Sequence, residues 1–192
     1  MVRVSFIVEG KVEKILIDHL DKTGWLQSKG VQKVGPTVDA KGGGNLCPRN
    51  IETYISQVQQ TNPDHIFILT DLECDPCFTQ TKARLGGCEN CTVVIAKKAV
   101  EAWFMADGNV VNQLTSGEHA GFDFPEQTQS MPYETMKEVM KASTGRGPGP
   151  KALLAKKVLK NGFDIARAAQ HEHCQSAKYF INKIEELANA SA

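Results

Sequence analysis

Two acidic segments carry the strongest signal for chemistry in this 192-residue chain. Glu9 is followed at helical spacing by Glu13, and Asp71 is followed two residues later by Glu73. Alternation along an extended segment lets Asp71 and Glu73 point the same way, while Glu9 and Glu13 converge across one helical turn. Carboxylates that meet repel one another unless a cation neutralises them, so the pattern predicts Mg²⁺ or Mn²⁺ bound together with a substrate phosphate. The alternative is a solvated turn residue and an ordinary strand end.

Four cysteines form the pattern C-x₂-C-x₁₀-C-x₂-C, namely Cys74, Cys77, Cys88 and Cys91. Two tight knuckles at this spacing bring four thiolates into a tetrahedron, so the pattern predicts one Zn²⁺. Four thiolates leave no open coordination position, which makes the predicted role structural. Reduced cysteines, or a disulfide formed on oxidation, are the alternative.

A glycine run precedes one of the predicted helices. Gly42, Gly43 and Gly44 offer backbone N–H groups to an anion, although the run lacks the Lys-Ser/Thr ending of a P-loop. The run is therefore a candidate phosphate-binding loop. A flexible linker is the alternative.

Charge is balanced over the whole chain but uneven along it. Lys plus Arg and Asp plus Glu both number 22, so no overall field draws the protein to nucleic acid. A basic stretch between residues 137 and 160 nevertheless includes the candidate nucleic-acid contacts Lys151, Lys156 and Lys157. Solvated helix faces would give the same pattern.

The elements that must position these residues alternate between strands and helices. Alternation predicts an α/β fold with a mainly parallel sheet, helices on both faces and ligand chemistry at the carboxyl ends of the strands. Glu9 and Asp71 each follow a predicted strand directly. The predicted strands are Val4–Val8, His65–Thr70 and Thr92–Ala96, and the predicted helices include Arg49–Gln59, Tyr133–Ala142, Lys151–Lys160 and Ser176–Leu187.

The order of these motifs resembles the Toprim domain of topoisomerases, primases and the overcoming-lysogenisation-defect nucleases. The resemblance lies in a strand ending at Glu9-Gly, the later Glu13, and a second strand ending in an acidic pair, Asp71 and Glu73. The family pattern has Asp in the second place of that pair, so Asp75 is an alternative metal ligand to Glu73. The resemblance implies a Toprim/Rossmann-like core over residues 1–110, with a zinc-binding insertion at 74–91. Residues 111–192 are expected to form a mainly helical extension packed on the core.

A further segment is similar to the Glu-Ala-Trp segment of uncharacterised bacterial Toprim-like proteins. In this resemblance Glu101 is an additional acidic candidate, and Lys97 or Lys98 stabilises the phosphorane. From the residues alone, Glu101 is equally well explained as part of a solvated helix face. Trp103 and the Phe beside it are expected in the core.

The resemblance implies a Mg²⁺-dependent nuclease that cleaves phosphodiester bonds in DNA or RNA, acting as the effector of an ATPase partner in phage defence. A non-catalytic Toprim-like regulatory or adaptor module that binds nucleic acid or a protein is the alternative. A redox protein fits less well, because neither Cys-x-x-Cys begins a helix of a thioredoxin-like pattern. The absence of an export signal and of an apolar run of about 20 residues predicts a cytoplasmic protein that does not span a membrane.

Overall fold

A computed structural model describes residues 1–72, 77–85 and 88–190, apart from the side chain of Arg84. Five strands form one sheet in the order β2-β1-β4-β5, with β3 also paired to β1. The pairings of β1 with β2, β3 and β4 are all parallel, so the predicted mainly parallel α/β sheet is confirmed. The strands are β1 (Val2–Val8), β2 (Val31–Lys33), β3 (Val38–Asp39), β4 (His65–Asp71) and β5 (Cys91–Ala96).

The sheet buries apolar side chains on both faces. On one face, Ile7 and its β4 partner Ile68 belong to a core cluster shared with buried residues of a following helix. On the other face, the rings of Phe6 and Phe67 stack with centroids 5.5 Å apart. Because both faces are covered, β1 and β4 are continuous apolar runs rather than alternating ones.

The helices of this part of the chain follow from apolar spacing and simple start signals. They are α1 (Lys11–Lys22), α2 (Trp25–Ser28), α3 (Pro48–Gln59) and α4 (Phe78–Leu85). Pro48 suits the first turn of α3 because its fixed φ is helical and its missing N–H has no intrahelical acceptor there. Ile51 and Val58 lie two turns apart on the same face of α3, and both are buried in the core cluster beside the sheet.

The chain divides into two compact units. The first comprises residues 1–95 and the chain from residue 182 onwards, and the second comprises residues 96–181. The helices after β5 are α5 (Glu101–Ala106), α6 (Gly108–Leu114), α7 (Pro132–Thr144), α8 (Lys151–Lys160), α9 (Ile165–Gln170) and α10 (Gln175–Ala190). This division groups α5 with the later helices, whereas the sequence prediction counted it with the sheet.

The second unit has an aromatic core, as predicted for Trp103. Its ring lies 5.6 Å from that of Phe180, and its Nε1–H donates to Ser176 Oγ at 2.7 Å. Phe104 packs edge-on against Phe163, with centroids 5.1 Å apart. Among the described residues of both units, no helix is both long and apolar enough to cross a membrane.

Candidate active site

The structure brings Glu9 and Asp71 together at one edge of the sheet. Glu9 follows β1, Asp71 ends β4, and the two strands are parallel neighbours, so both acids lie at the carboxyl ends. The Asp71 N–H donates to Glu9 Oε2 at 2.9 Å, and the Thr70 hydroxyl donates to the same oxygen at 2.5 Å. Glu9 is only 8% exposed and Asp71 7%. Two predicted site residues are therefore adjacent and buried.

Glu13 adds a third buried acid to this edge. It lies in the first turn of α1 and is 4% exposed. A Cβ placed on Gly10 would lie 3.3 Å from Glu13 Oε2, so the carboxylate folds back over the residue that follows Glu9. Its predicted convergence with the Glu9 carboxylate stays a prediction.

The glycine run is an ordered loop against Glu9. The Gly42 N–H donates to the Glu9 carbonyl oxygen at 2.8 Å, and a short 3-10 helix covers Gly43–Asn45. A Cβ on Gly43 would lie 2.8 Å from Glu9 Oε1, so only glycine allows this close approach. These contacts place the loop beside Glu9, and both interpretations of the run, as a phosphate-binding loop or as a flexible linker, stay predictions.

The described acids fit a hard divalent cation in the kind of donor they offer. Oε2 of Glu9 is held by two donors, while Oε1 faces Gly43, where the missing side chain leaves room. Within residues 1–72, 77–85 and 88–190, no three His, Cys, Asp or Glu side chains form a complete metal site. Glu73 and Asp75, two of the predicted ligands, lie outside the described residues.

The predicted residues of the second unit occupy different environments. The backbone N–H of Lys97 donates to Ser176 Oγ at 3.1 Å. Lys98 Nζ donates to the carbonyls of Thr128 and Ser130, so its ammonium group holds a loop of its own unit. That contact leaves Lys97, rather than Lys98, as the candidate for stabilising a phosphorane.

Glu101 is 1% exposed, so its interpretation as part of a solvated helix face is wrong. Lys151 Nζ lies 3.7 Å from Glu101 Oε1 and 5.9 Å from the centre of the Tyr133 ring. The side chain of Lys151 is half exposed, and Lys156 and Lys157 follow it on α8, the first exposed and the second partly buried. Their predicted contact with nucleic acid is untested by this geometry.

The structure describes three of the four cysteines of the predicted zinc pattern. Cys88 and Cys91 are joined, with Cα atoms 5.3 Å apart. Cys77 is a partly buried free thiol, and Cys74 lies outside the described residues. The predicted four-thiolate arrangement is therefore not shown.

Sequence reasoning did not single out Thr70 or the contact between Gly43 and Glu9. A signal for Thr70 was present in the sequence. Thr70 directly precedes Asp71 near the carboxyl end of β4, and the carboxyl end of a parallel neighbouring strand lies beside it. The Gly43 contact depends on the path of a loop, which residue spacing does not encode. Both residues fix the Glu9 carboxylate rather than add another acid.

The fold and this edge define an α/β protein with a mainly parallel sheet and two adjacent buried acids, Glu9 and Asp71, at the carboxyl ends of its strands. Neither the protein-family models nor the curated proteins contain a match to the chain. Among solved structures, it is similar to the C-terminal region of the Burkholderia pseudomallei OLD protein, with a TM-score of 0.48 and 17% identity over 95% of this chain and 98% of that one. At that TM-score the likeness supports no conclusion about this chain's chemistry, and the Toprim resemblance stays a prediction.

Proposed function

We propose that the protein is a Mg²⁺- or Mn²⁺-dependent nuclease that cleaves phosphodiester bonds in DNA or RNA. The observation that carries the proposal is the contact between Glu9 and Asp71, two buried acids at the ends of adjacent parallel strands. Glu13 is buried in the first turn of α1 and folds back over Gly10. Buried carboxylates in such numbers are costly unless a cation balances them.

The chain's own residues fix the acids in place. Thr70 and the Asp71 N–H hold one oxygen of Glu9, and the absence of a side chain at Gly43 allows the other oxygen to lie close to the loop. We assign Glu9, Asp71 and Glu73, with Asp75 as the alternative to Glu73, to holding the ion and Glu13 to the same acidic cluster. A bound divalent ion would polarise the phosphate and lower the pKa of a water molecule.

Basic residues are assigned to the substrate rather than to the ion. We propose that Lys151, Lys156 and Lys157 contact the phosphate backbone, supported by the position of all three on α8 and the exposure of Lys151 and Lys156. Glu101 lies beside Lys151 and would hold its ammonium group toward a phosphate. We propose that Lys97 stabilises the negative charge that develops on the phosphorane.

We also propose that the nuclease is the effector of an ATPase partner in phage defence, as the Toprim resemblance implies. A partner of this kind could hold the nuclease inactive until it is engaged. An activity assay must therefore include a candidate ATPase where one is found. A non-catalytic adaptor would bind nucleic acid or the partner without cleaving.

The test is cleavage of a panel of DNA and RNA with Mg²⁺, Mn²⁺ or a chelator. Glu9→Gln and Asp71→Asn should each lower the metal-dependent rate by roughly 10³-fold or more while the fold persists, because both changes are nearly isosteric. Glu52→Gln, on the exposed side of α3, removes the same charge and should leave the rate unchanged.

Two results separate the nuclease from the adaptor. Lys156→Ala combined with Lys157→Ala should weaken binding and lower its salt dependence without removing the metal dependence. Wild-type protein that binds but never cleaves, with metal, partner and the full panel present, would reject the nuclease and leave the adaptor.

We further propose that Cys74, Cys77, Cys88 and Cys91 hold one structural Zn²⁺ in the reduced protein. The support is that the Cys88 and Cys91 side chains point toward each other, because two thiolates that bind one Zn²⁺ must also lie close together. Metal analysis of protein purified under reducing conditions should give one zinc per chain, and Cys88→Ser should lose it. Reduced protein with four titratable thiols at these positions and no zinc would contradict the proposal.

A further inference from the structure

A cavity of about 430 Å³ lies beside the glycine loop in the first unit. Side chains with hydrogen-bonding or aromatic groups line it, contributed by β3, the loop and α3: Asp39, Lys41, Asn45, Tyr54 and Gln57. The volume falls in the range of about 300–1,000 Å³ typical of small-molecule sites. The acids of the candidate active site are not part of this lining.

The backbone that lines the cavity is the same segment that borders Glu9. After β3 the chain continues along the end of β1, where the Ala40 N–H donates to the Val8 carbonyl oxygen at 2.9 Å. Two residues later the Gly42 N–H donates to the Glu9 carbonyl oxygen at 2.8 Å. Lys41 lies between these two contacts and lines the cavity. A group bound there would be a neighbour of whatever occupies the acidic edge.

Of the polar side chains that line the cavity, Asp39 only accepts hydrogen bonds, Lys41 only donates them, and the amides of Asn45 and Gln57 can do both. Oδ1 of Asp39 accepts the Lys41 N–H at 2.7 Å, which fixes the carboxylate. Nδ2 of Asn45 donates to the carbonyls of Ala40 and Lys41 at 2.8 and 3.3 Å, so both of its N–H groups are used. Within the described part of the chain, Asp39 Oδ2 and Asn45 Oδ1 accept no hydrogen bond. Asp39 is partly buried and Asn45 is exposed, so a ligand that displaces water from these two oxygens needs N–H or O–H donors.

Tyr54 gives the cavity an aromatic wall. It packs against the core cluster of the first unit, and its hydroxyl donates to the Ala40 carbonyl oxygen at 3.4 Å, so the side chain is anchored at both ends. An aromatic ring beside hydrogen-bond acceptors suits a flat heterocycle with donor groups at its edge. The exposed Lys41 adds a positive charge beside that heterocycle.

We infer that this cavity is a subsite for one nucleobase of the substrate strand, and that it selects a base with an exocyclic amino group. The inference rests on the proposed nuclease function and adds a substrate preference to it. Adenine, cytosine and guanine each carry such an amino group, which Asp39 and Asn45 would accept. Thymine and uracil present a carbonyl oxygen in the corresponding place, which cannot donate a hydrogen bond to the Asp39 carboxylate. Lys41 would contact the phosphate of the same nucleotide.

The test measures binding without cleavage. AMP, CMP, UMP and the matching short DNA oligomers are titrated against the full chain in a chelator and followed by NMR. The amino-bearing nucleotides and oligomers should bind at least about fivefold more tightly than UMP or oligo-dT. Asp39→Asn keeps the bond to Lys41 through its amide oxygen but turns N–H donors toward the ligand, so the preference should disappear or reverse.

Two further variants control this test. Tyr54→Leu should weaken binding of all bases by about fivefold, because the stacking surface is lost while the core contact is kept. Glu52→Gln removes one negative charge from the exposed side of the same helix and should change neither affinity nor preference.

The outcomes separate the subsite from the nuclease. Base-selective binding by a protein that cleaves nothing would reject the nuclease and leave the nucleobase site in place. An active enzyme whose Asp39→Asn variant keeps the wild-type base preference would reject the subsite and leave the nuclease. Binding of free nucleotides without any binding of oligomers would also overturn the inference, because the proposed occupant belongs to a strand.

Discussion

Glu9 in the first unit and Asp107 in the second are both buried acids, but their partners differ in charge. Asp107 accepts two hydrogen bonds from the Arg167 guanidinium at 2.9 and 2.8 Å and another from the Asp164 N–H at 2.9 Å. Glu9 is held by the Thr70 hydroxyl and a peptide N–H, both neutral. Two buried acids of this chain therefore differ in the kind of group that holds them.

The charge of the donor makes that distinction. A guanidinium balances the carboxylate within the protein, and the Asp107 hydrogen bonds raise the pKa of Arg167 in return. Thr70 and the Asp71 N–H orient the Glu9 carboxylate without balancing its negative charge.

Glu126 supports the same contrast within the second unit. It accepts the N–H groups of Gln175 and Ser176 at 3.1 and 2.8 Å, at the start of α10. The amino end of a helix carries partial positive charge and unpaired N–H groups, which an acid neutralises. Glu126 is thus a helix cap. The buried acids of this unit that have such partners are structural.

The largest effect that would sharpen this comparison is on stability. Asp107→Ala should lower the free energy of unfolding by about 3 kcal/mol, because it removes a helix cap and leaves the Arg167 fork without its carboxylate. Asp71→Asn should change it by less than about 1 kcal/mol. Urea unfolding of both variants measures the difference. Equal losses would show that the two acids have the same structural role.

A second effect, on activity, isolates the space beside Glu9. Gly43→Ala should reduce the cleavage rate by about tenfold or more, because its Cβ would lie 2.8 Å from Glu9 Oε1 and displace the carboxylate. Gly44→Ala is the matched control, since a Cβ there meets nothing within 4 Å. If both variants cleave at the wild-type rate, the position of Glu9 Oε1 does not matter for the reaction.

The smallest effect is on the pH dependence of stability, and it concerns the end of β4 opposite to Asp71. Burial lowers the pKa of His65, at the start of β4, below its ordinary value of 6.5. The neutral form is therefore favoured in the fold, and stability should fall slightly as pH drops through about 6.5.

His65→Gln should reduce this dependence in unfolding curves recorded from pH 8 to 5. His19→Gln is a useful comparison, because burial and Lys22 lower the pKa of His19 in the same direction. A pH dependence unchanged in both variants would assign it to other groups.

Long elements could be predicted because their apolar pattern is long enough to have a period. α8 has the predicted bounds, and β4 and α3 differ from the predictions by one residue at an end. β3 has only two residues, and no period can be detected in Val38–Asp39. The short α6 was missed for a similar reason, since its two buried valines lie in a segment rich in polar and turn residues.

The site could be predicted where it depends on topology. Parallel neighbours end at one edge, so the adjacency of Glu9 and Asp71 follows once two strands are recognised. The burial of Glu101 did not follow, because helical spacing does not reveal which faces other helices cover. The Gly43 contact did not follow either, because a loop's path is set by contacts distant in sequence.

The pairing of β1 with β4 also has a consequence for how the protein forms during translation. Thr70, which orients Glu9, is 61 residues away in sequence. The strand bearing Glu9 therefore emerges from the ribosome well before its partner exists, and contacts of such long range are slow to form. Until β4 docks, Glu9 is an ordinary solvated side chain without its orienting donors. The nascent chain should thus acquire its acidic pair late, after the first helices have been made.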